Sequence, residues 1–125
     1  MRQILLFAAL AASLALLSGC ALSKAKEDKA EDMPDNAAYH KISAEEAYEM
    51  MASQEVVVVD VRTREEYDGG HIENAVLVPN ERIGSEMPEA LPDKEATLLI
   101  YCRSGRRSKD AAQKLLALGY QSVYD

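Results

Sequence analysis

The sequence predicts an α/β fold with a mostly parallel sheet and helices on both faces. Three observations point there. Val56 to Val59 is a run of four β-branched residues, the pattern of a strand covered on both sides. Thr97 to Tyr101 is a second short apolar strand. Helical patterns alternate with these strands along the chain, as parallel strands require of their crossover connections.

The elements follow in order. Ser43-Ala44-Glu45-Glu46 is a capping box, serine as cap and glutamate three residues on. It opens a helix in which Ala44, Ala47, Tyr48 and Met51 share one face. The valine strand ends at Asp60-Val61-Arg62. Thr63-Arg64-Glu65-Glu66 is a second capping box, for a short helix that stops at Gly69-Gly70. Ala75 to Val78 reads as a strand broken by Pro79. Asn80 is placed to cap another short helix, interrupted by Gly84, Pro88 and Pro92. After the Thr97–Tyr101 strand, a helix is expected over Ser108 to Leu118, with Ala111, Ala112, Leu115, Leu116 and Leu118 as its buried stripe and Gly119 as its cap. Gln121 to Tyr124 begins another strand. No internal repeat is visible.

The amino-terminal segment stands apart from this pattern. Arg2 precedes an apolar run from Ile4 to Leu17, the length of a secretory h-region and short for a membrane span. Leu17-Ser18-Gly19-Cys20 resembles a bacterial lipobox, which implies a signal peptide over residues 1–19 and Cys20 as the lipid anchor. Residues 20–38 read as the lipidated cysteine and a charged tether, since "SKAKEDKAEDMPDN" lacks apolar periodicity. The domain then occupies residues 39–125. The expected location is the cell envelope, on the periplasmic face, and Ala21 favours the outer membrane. Several acyl chains give durable anchoring where one is marginal.

The net charge of −7 excludes nucleic acid as the main partner. A local basic cluster in such an acidic chain is the more informative feature. It lies at Cys102-Arg103-Ser104-Gly105-Arg106-Arg107-Ser108, where the second apolar strand gives way to a helix. In open α/β sheets ligands gather at the carboxyl ends of strands, and Cys102 sits at one. The helix that follows contributes unpaired N–H groups and its positive end. A tight turn through Ser104-Gly105 can curl amides inward as an anion-binding nest. Arg103, Arg106 and Arg107 add charge. Such settings commonly lower a cysteine's pKa well below about 8.5. With Cys20 lipidated, Cys102 is a lone thiol in an oxidising compartment, and its surroundings favour the thiolate. A buried, inert cysteine is the competing reading.

Phosphate transfer from such a loop uses a cysteine, five residues and an arginine. Counted from Cys102, that arginine falls on Ser108, and Arg107 is one step early. A shorter loop makes a smaller pocket, suited to one outer sulfur atom on the cysteine. Loop length therefore disfavours a small phosphatase or an arsenate-type reductase. The loop closely resembles the active-site loop of single-domain rhodaneses. Asp60-Val61-Arg62-Thr63-Arg64-Glu65-Glu66-Tyr67-Asp68-Gly69-Gly70-His71-Ile72 resembles the same family's D-V-R…E-Y…G-H-I signature.

The resemblance spans residues 39–125 and implies a rhodanese-like α/β fold and a sulfurtransferase. Cys102 would take a sulfane sulfur from thiosulfate or a related anionic donor, hold it as a persulfide, and pass it to a thiol or cyanide. It implies substrate binding by Arg103, Ser104, Gly105, Arg106 and Arg107, the amides of residues 103 to 107 holding the persulfide charge. Not all three arginines need point inward. Asp60 and Arg62, at the end of the neighbouring strand, either pair with each other or brace the loop. His71 is expected to support structure rather than form a dyad with Cys102. His40 carries no signal, and the six tyrosines read as packing. No cofactor is expected, and no metal-ligand spacing is present. Partners expected besides the small molecules are the membrane, through the anchor, and a protein that accepts sulfur. The family's domains continue with a glycine-rich turn and a helix beyond the point that matches Asp125, so the domain is expected to lack its C-terminal end, either because the sequence is a fragment or because this member lacks that cover. The alternative to an enzyme is a catalytically weak module that carries sulfur in a relay or binds a protein.

Overall fold

The computed structural model describes residues 35–125. The signal segment, Cys20 and the tether as far as residue 34 lie outside the described residues.

Five parallel strands form one sheet. In chain order the elements are β1 (Tyr39–His40), α1 (Ala44–Ser53), β2 (Val57–Asp60), α2 (Arg64–Asp68), β3 (Val76–Leu77), a 3-10 turn (Asn80–Arg82), β4 (Leu98–Tyr101), α3 (Arg106–Ala117) and β5 (Val123–Tyr124). The strand order is β1-β5-β4-β2-β3. β2 and β4 are neighbours, with Val57 opposite Leu98 and Asp60 opposite Tyr101. From β2 the chain runs outward to β3, then returns to β4 on the other side. That reversal leaves a crevice beyond the carboxyl ends of β2 and β4.

The sheet is apolar on both sides because alternate residues feed two cores. Val59, Leu98 and Ile100 pack with Ala111, Ala112 and Leu115 of α3 on one face. Val58 and Leu99 pack on the other with Ala75, and Ile42, Ala47, Met50 and Tyr67 close over them. Both capping boxes form: Ser43 with Glu46 opens α1, and Thr63 with Glu66 opens α2. At the far end of α3, the amide of Gly119 bonds the Leu116 carbonyl and that of Tyr120 bonds Leu115. With Gly119 left-handed at φ 95°, this is a Schellman closure.

Four details differ from expectation. α1 turns its Ala47–Met50 edge to the sheet, and Tyr48, about 100° further round the helix, is 74% exposed. α3 begins at Arg106, two residues earlier than the apolar stripe indicates, because left-handed Gly105 (φ 89°) ends the loop at once. Pro79, not Asn80, precedes the 3-10 turn. The buried Asn80 side chain instead donates to Asp110 at 2.7 Å and accepts from Lys114 at 3.1 Å. β1 has no sequence signal at two residues in length, yet its Tyr39 is almost fully buried beside Val123 of β5.

Candidate active site

Cys102 follows β4 directly, and the first turn of α3 closes around its sulfur. The Gly105 amide donates to Sγ at 3.0 Å and the Ser108 amide at 3.4 Å, while the Ser108 Oγ lies 3.5 Å away. Ser108 Oγ also donates to the Gly105 carbonyl at 3.1 Å. A hydroxyl hydrogen rotates freely. When the thiol is protonated, S–H donates to Oγ and the hydroxyl hydrogen serves the carbonyl. When the sulfur ionises, that hydrogen turns to the sulfur.

These contacts decide the state of the thiol. Burial pushes its pKa up. The Ser108 hydroxyl and amide, with the amides of Ser104 and Gly105, push it down and prevail, so it lies below the ordinary thiol value. The dominant stabiliser is thus a set of aimed hydrogen bonds at a helix start, not the arginines.

The three arginines separate. Arg103 and Arg106 are exposed. Arg107 reaches back to α2, donating to Glu66 Oε2 at 2.7 Å and Oε1 at 2.9 Å. Glu66 also accepts from the Thr63 amide, in the capping box, at 2.9 Å. The Arg107 fork holds the Glu66 carboxyl far below the usual carboxylate range, with help from Thr63. One carboxylate therefore fastens both the start of α2 and the first turn of α3.

Beneath this lies the strand-end network. Asp60 is fully buried. Its carboxylate accepts from the Arg62 amide at 2.9 Å, from Arg62 Nη2 at 2.7 Å and from the Tyr101 hydroxyl at 2.7 Å. Burial raises its pKa, but the bonds from Arg62 and Tyr101 outweigh burial and lower it overall. Arg62 Nη2 also donates to the Gly70 carbonyl at 2.7 Å, and the Ile72 amide donates to the Tyr101 hydroxyl at 3.1 Å. Asp60 and Arg62 thus pair and also brace the Gly70–Ile72 loop. His71 stacks on Tyr67 with ring centres 3.6 Å apart, and its Nδ1 lies 2.8 Å from the Tyr67 carbonyl. Those contacts hold it on α2. Among the described residues, no group of three or more His, Cys, Asp and Glu is placed to hold a metal.

The Rhodanese-like domain model matches residues 43–125. The chain belongs to the rhodanese-like domain family. A tRNA uridine(34) hydroxylase of Yersinia pestis is 33% identical over 89 residues, 68% of this chain but 25% of the relative. The chain thus spans about a quarter of that relative's length. Among solved structures, human single-domain sulfurtransferase TSTD1 is 27% identical with a TM-score of 0.59, covering 71% of this chain and 88% of that one. A rhodanese with anions from E. coli is 32% identical with a TM-score of 0.52, covering 57% and 84%. This rhodanese-like domain therefore shares its fold with a sulfurtransferase, and its family also includes hydroxylases.

Three residues of the site escaped the sequence. Tyr101, read there as packing, donates its hydroxyl to Asp60. Ser108 stood out only as the position where an arginine was missing, yet it is buried and supplies two contacts to the sulfur. Glu66 was legible as a cap, and nothing local indicated that Arg107 would reach it across 41 positions.

The Asp60 network carries a pH prediction. Its folded pKa lies below the unfolded value of about 3.9, so its stabilisation is present above that pH and is lost as pH falls through the folded pKa. Asp60→Asn is expected to lower unfolding free energy by about 3–5 kcal/mol at pH 7. Urea unfolding of both proteins should show that gap narrowing below about pH 4. A gap of constant size down to acid pH would contradict it.

Proposed function

We propose that this rhodanese-like domain is a sulfurtransferase working through a persulfide on Cys102. The observation that carries the reading is the sulfur seated among donors at the head of α3. The ionised Sγ attacks the outer sulfur of thiosulfate or a related donor. A new S–S bond forms, the donor's S–S bond breaks, and sulfite leaves with the electron pair. Cys102 then bears one extra sulfur and its negative charge, which loop amides are suited to stabilise. In the second half, a thiolate or cyanide attacks that outer sulfur and Cys102 leaves as thiolate. The cycle has two half-reactions and ping-pong kinetics. No oxidant is consumed.

The rest of the site supports this chemistry by position. Glu66 and Arg107 fix the first turn of α3, which carries the Ser108 donors. Asp60, Arg62 and Tyr101 fix the strand ends from which the loop departs. Arg103 and Arg106, exposed beside the loop, draw an anionic donor toward it.

The chain is proposed to act at the cell envelope, tethered through lipid on Cys20. The motif Leu17-Ser18-Gly19-Cys20 and the charged segment after it support that placement.

Two experiments test these statements. Incubation of the protein with thiosulfate, followed by mass spectrometry, is expected to show one added sulfur on Cys102, removed by cyanide as thiocyanate. Cys102→Ser should abolish the gain and keep the fold by circular dichroism; sulfur loading that survives this change would refute the mechanism. For the anchor, cells grown with labelled palmitate should label the wild type and not Cys20→Ala, with the variant leaving the membrane fraction. Equal labelling of both would reject the anchor.

A further inference from the structure

Tyrosines aside, the buried polar side chains among the described residues are Asp60, Ser108 and Asn80. The first two serve the seat of Cys102. Asn80 lies in the 3-10 turn after β3, and a buried amide is costly unless its hydrogen bonds are made. Here they are made, and to α3. Nδ2 donates to Asp110 Oδ2 at 2.7 Å, and Oδ1 accepts from Lys114 Nζ at 3.1 Å. Lys114 Nζ also donates to the Asn80 carbonyl at 3.1 Å and pairs with Asp110 at 3.0 Å. The bond from Asn80, with Lys114 in support, holds the Asp110 carboxyl below the usual carboxylate range.

The main chain of Asn80 reaches the other way. Its amide donates to the Val61 carbonyl at 3.0 Å, and the Val61 amide donates to the Tyr101 carbonyl at 3.2 Å. Tyr101 immediately precedes the nucleophile, and Asp110 follows Ser108 by two residues on α3. Asn80 is therefore bonded toward both arms of the Cys102 loop: the strand arm that carries Sγ, and the helix arm that carries its donors. The fit of one arm on the other sets the donor distances. The Ser108 amide, at 3.4 Å from Sγ, is the longer of the two amide contacts and has the least distance to spare. The charged groups around this start are Arg107 with Glu66, Glu81 acting on Arg107, and Arg106 acting on Asp110. Glu66 holds the first turn of α3 from the α2 side, and Asn80 holds the second turn from the β3 side.

We propose that Asn80 is a positioning residue for the sulfur chemistry: by tying α3 to the end of β2, it keeps the donors at the head of α3 at contact distance from the Cys102 sulfur. Its part in catalysis rests on the sulfurtransferase reading, and its part in ionising the thiol does not. Asp110 and Lys114 are both partly exposed and pair with each other. Loss of the Asn80 amide therefore leaves no buried charge behind, and it frees α3 to shift against the strand.

The test measures the Cys102 thiolate midpoint and the rate of sulfur loading from thiosulfate, in the full chain with Cys20→Ala so that one thiol reports. Asn80→Ala, and the gentler Asn80→Ser, are expected to raise the midpoint and to slow loading at pH 7 by about tenfold. Asn80→Asp, which sets a second carboxylate against Asp110, is expected to do the same. Combining Asn80→Asp with Asp110→Asn exchanges donor and acceptor at unchanged net charge, and should return both readouts to near wild type. Tyr120→Phe removes a buried hydrogen bond to the Leu91 carbonyl beyond the far end of α3. It is expected to lose stability and leave the midpoint in place. A wild-type midpoint in folded Asn80→Ala or Asn80→Ser would overturn the inference, as would an exchanged pair no better than Asn80→Asp. An equal rise in Tyr120→Phe would also overturn it, by reducing the effect to stability alone. Failure of the wild type to load sulfur would overturn the sulfurtransferase reading and the catalytic half of the inference, and the midpoints would then decide the other half.

Discussion

The candidate site depends on the seating of one sulfur atom at the start of one helix. A thiol at a strand end is a weak nucleophile until something stabilises its anion. Here burial works against ionisation, so hydrogen bonds must more than offset it. The Gly105 and Ser108 amides and the Ser108 hydroxyl do so from within 3.5 Å. The geometry needs Gly105 in a left-handed conformation, where a side chain would be strained, and it needs α3 to start immediately afterwards. The loop is also one residue shorter than the phosphate-transfer pattern, which supports the proposed sulfur chemistry.

The scaffold keeps that seat in place through two polar connections that cross between elements. The Tyr101 hydroxyl joins β4 to Asp60 of β2, one residue before the nucleophile. The Arg107 fork joins the first turn of α3 to the cap of α2. Neither connection touches a reacting atom. Each fixes one side of the loop, and the buried Ser108 fixes its base against the α3 core. Electrostatic stabilisation of this kind works best when donors are held before charge develops, because none need reorganise during the reaction.

Much of this was legible in the sequence, and the parts that were not share a cause. The valine run and the apolar stretch before Cys102 gave two central strands, because a buried parallel strand requires apolar residues on both sides. The capping boxes at Ser43 and Thr63 gave two helix starts, because capping is local chemistry between residues three apart. Cys102 and its glycine turn marked the candidate nucleophile, and the donors around its sulfur support that reading. The resemblance supplied the family, and the family model agrees. The Glu66–Arg107 pair, the Tyr101–Asp60 bond and the role of Ser108 depend on which strands become neighbours, which no local pattern records. The face of α1 was misjudged for a similar reason. Tyr48 fits a helical stripe, but the helix meets the sheet along Ala47 and Met50. Prominent charge also misled: three arginines beside a cysteine invite a purely Coulombic account, yet one of them is bound to a carboxylate and the closest stabilisers are amides and a hydroxyl.

The most direct test of the seat is titration of Cys102 by thiolate absorbance in the ultraviolet, in a Cys20→Ala background so that one thiol reports. The midpoint is expected to fall below the free-cysteine value of about 8.5 and to rise in Ser108→Ala, which removes the hydroxyl and keeps the helix. A midpoint at or above the free-cysteine value, or one unmoved by loss of the Ser108 hydroxyl, would contradict the account.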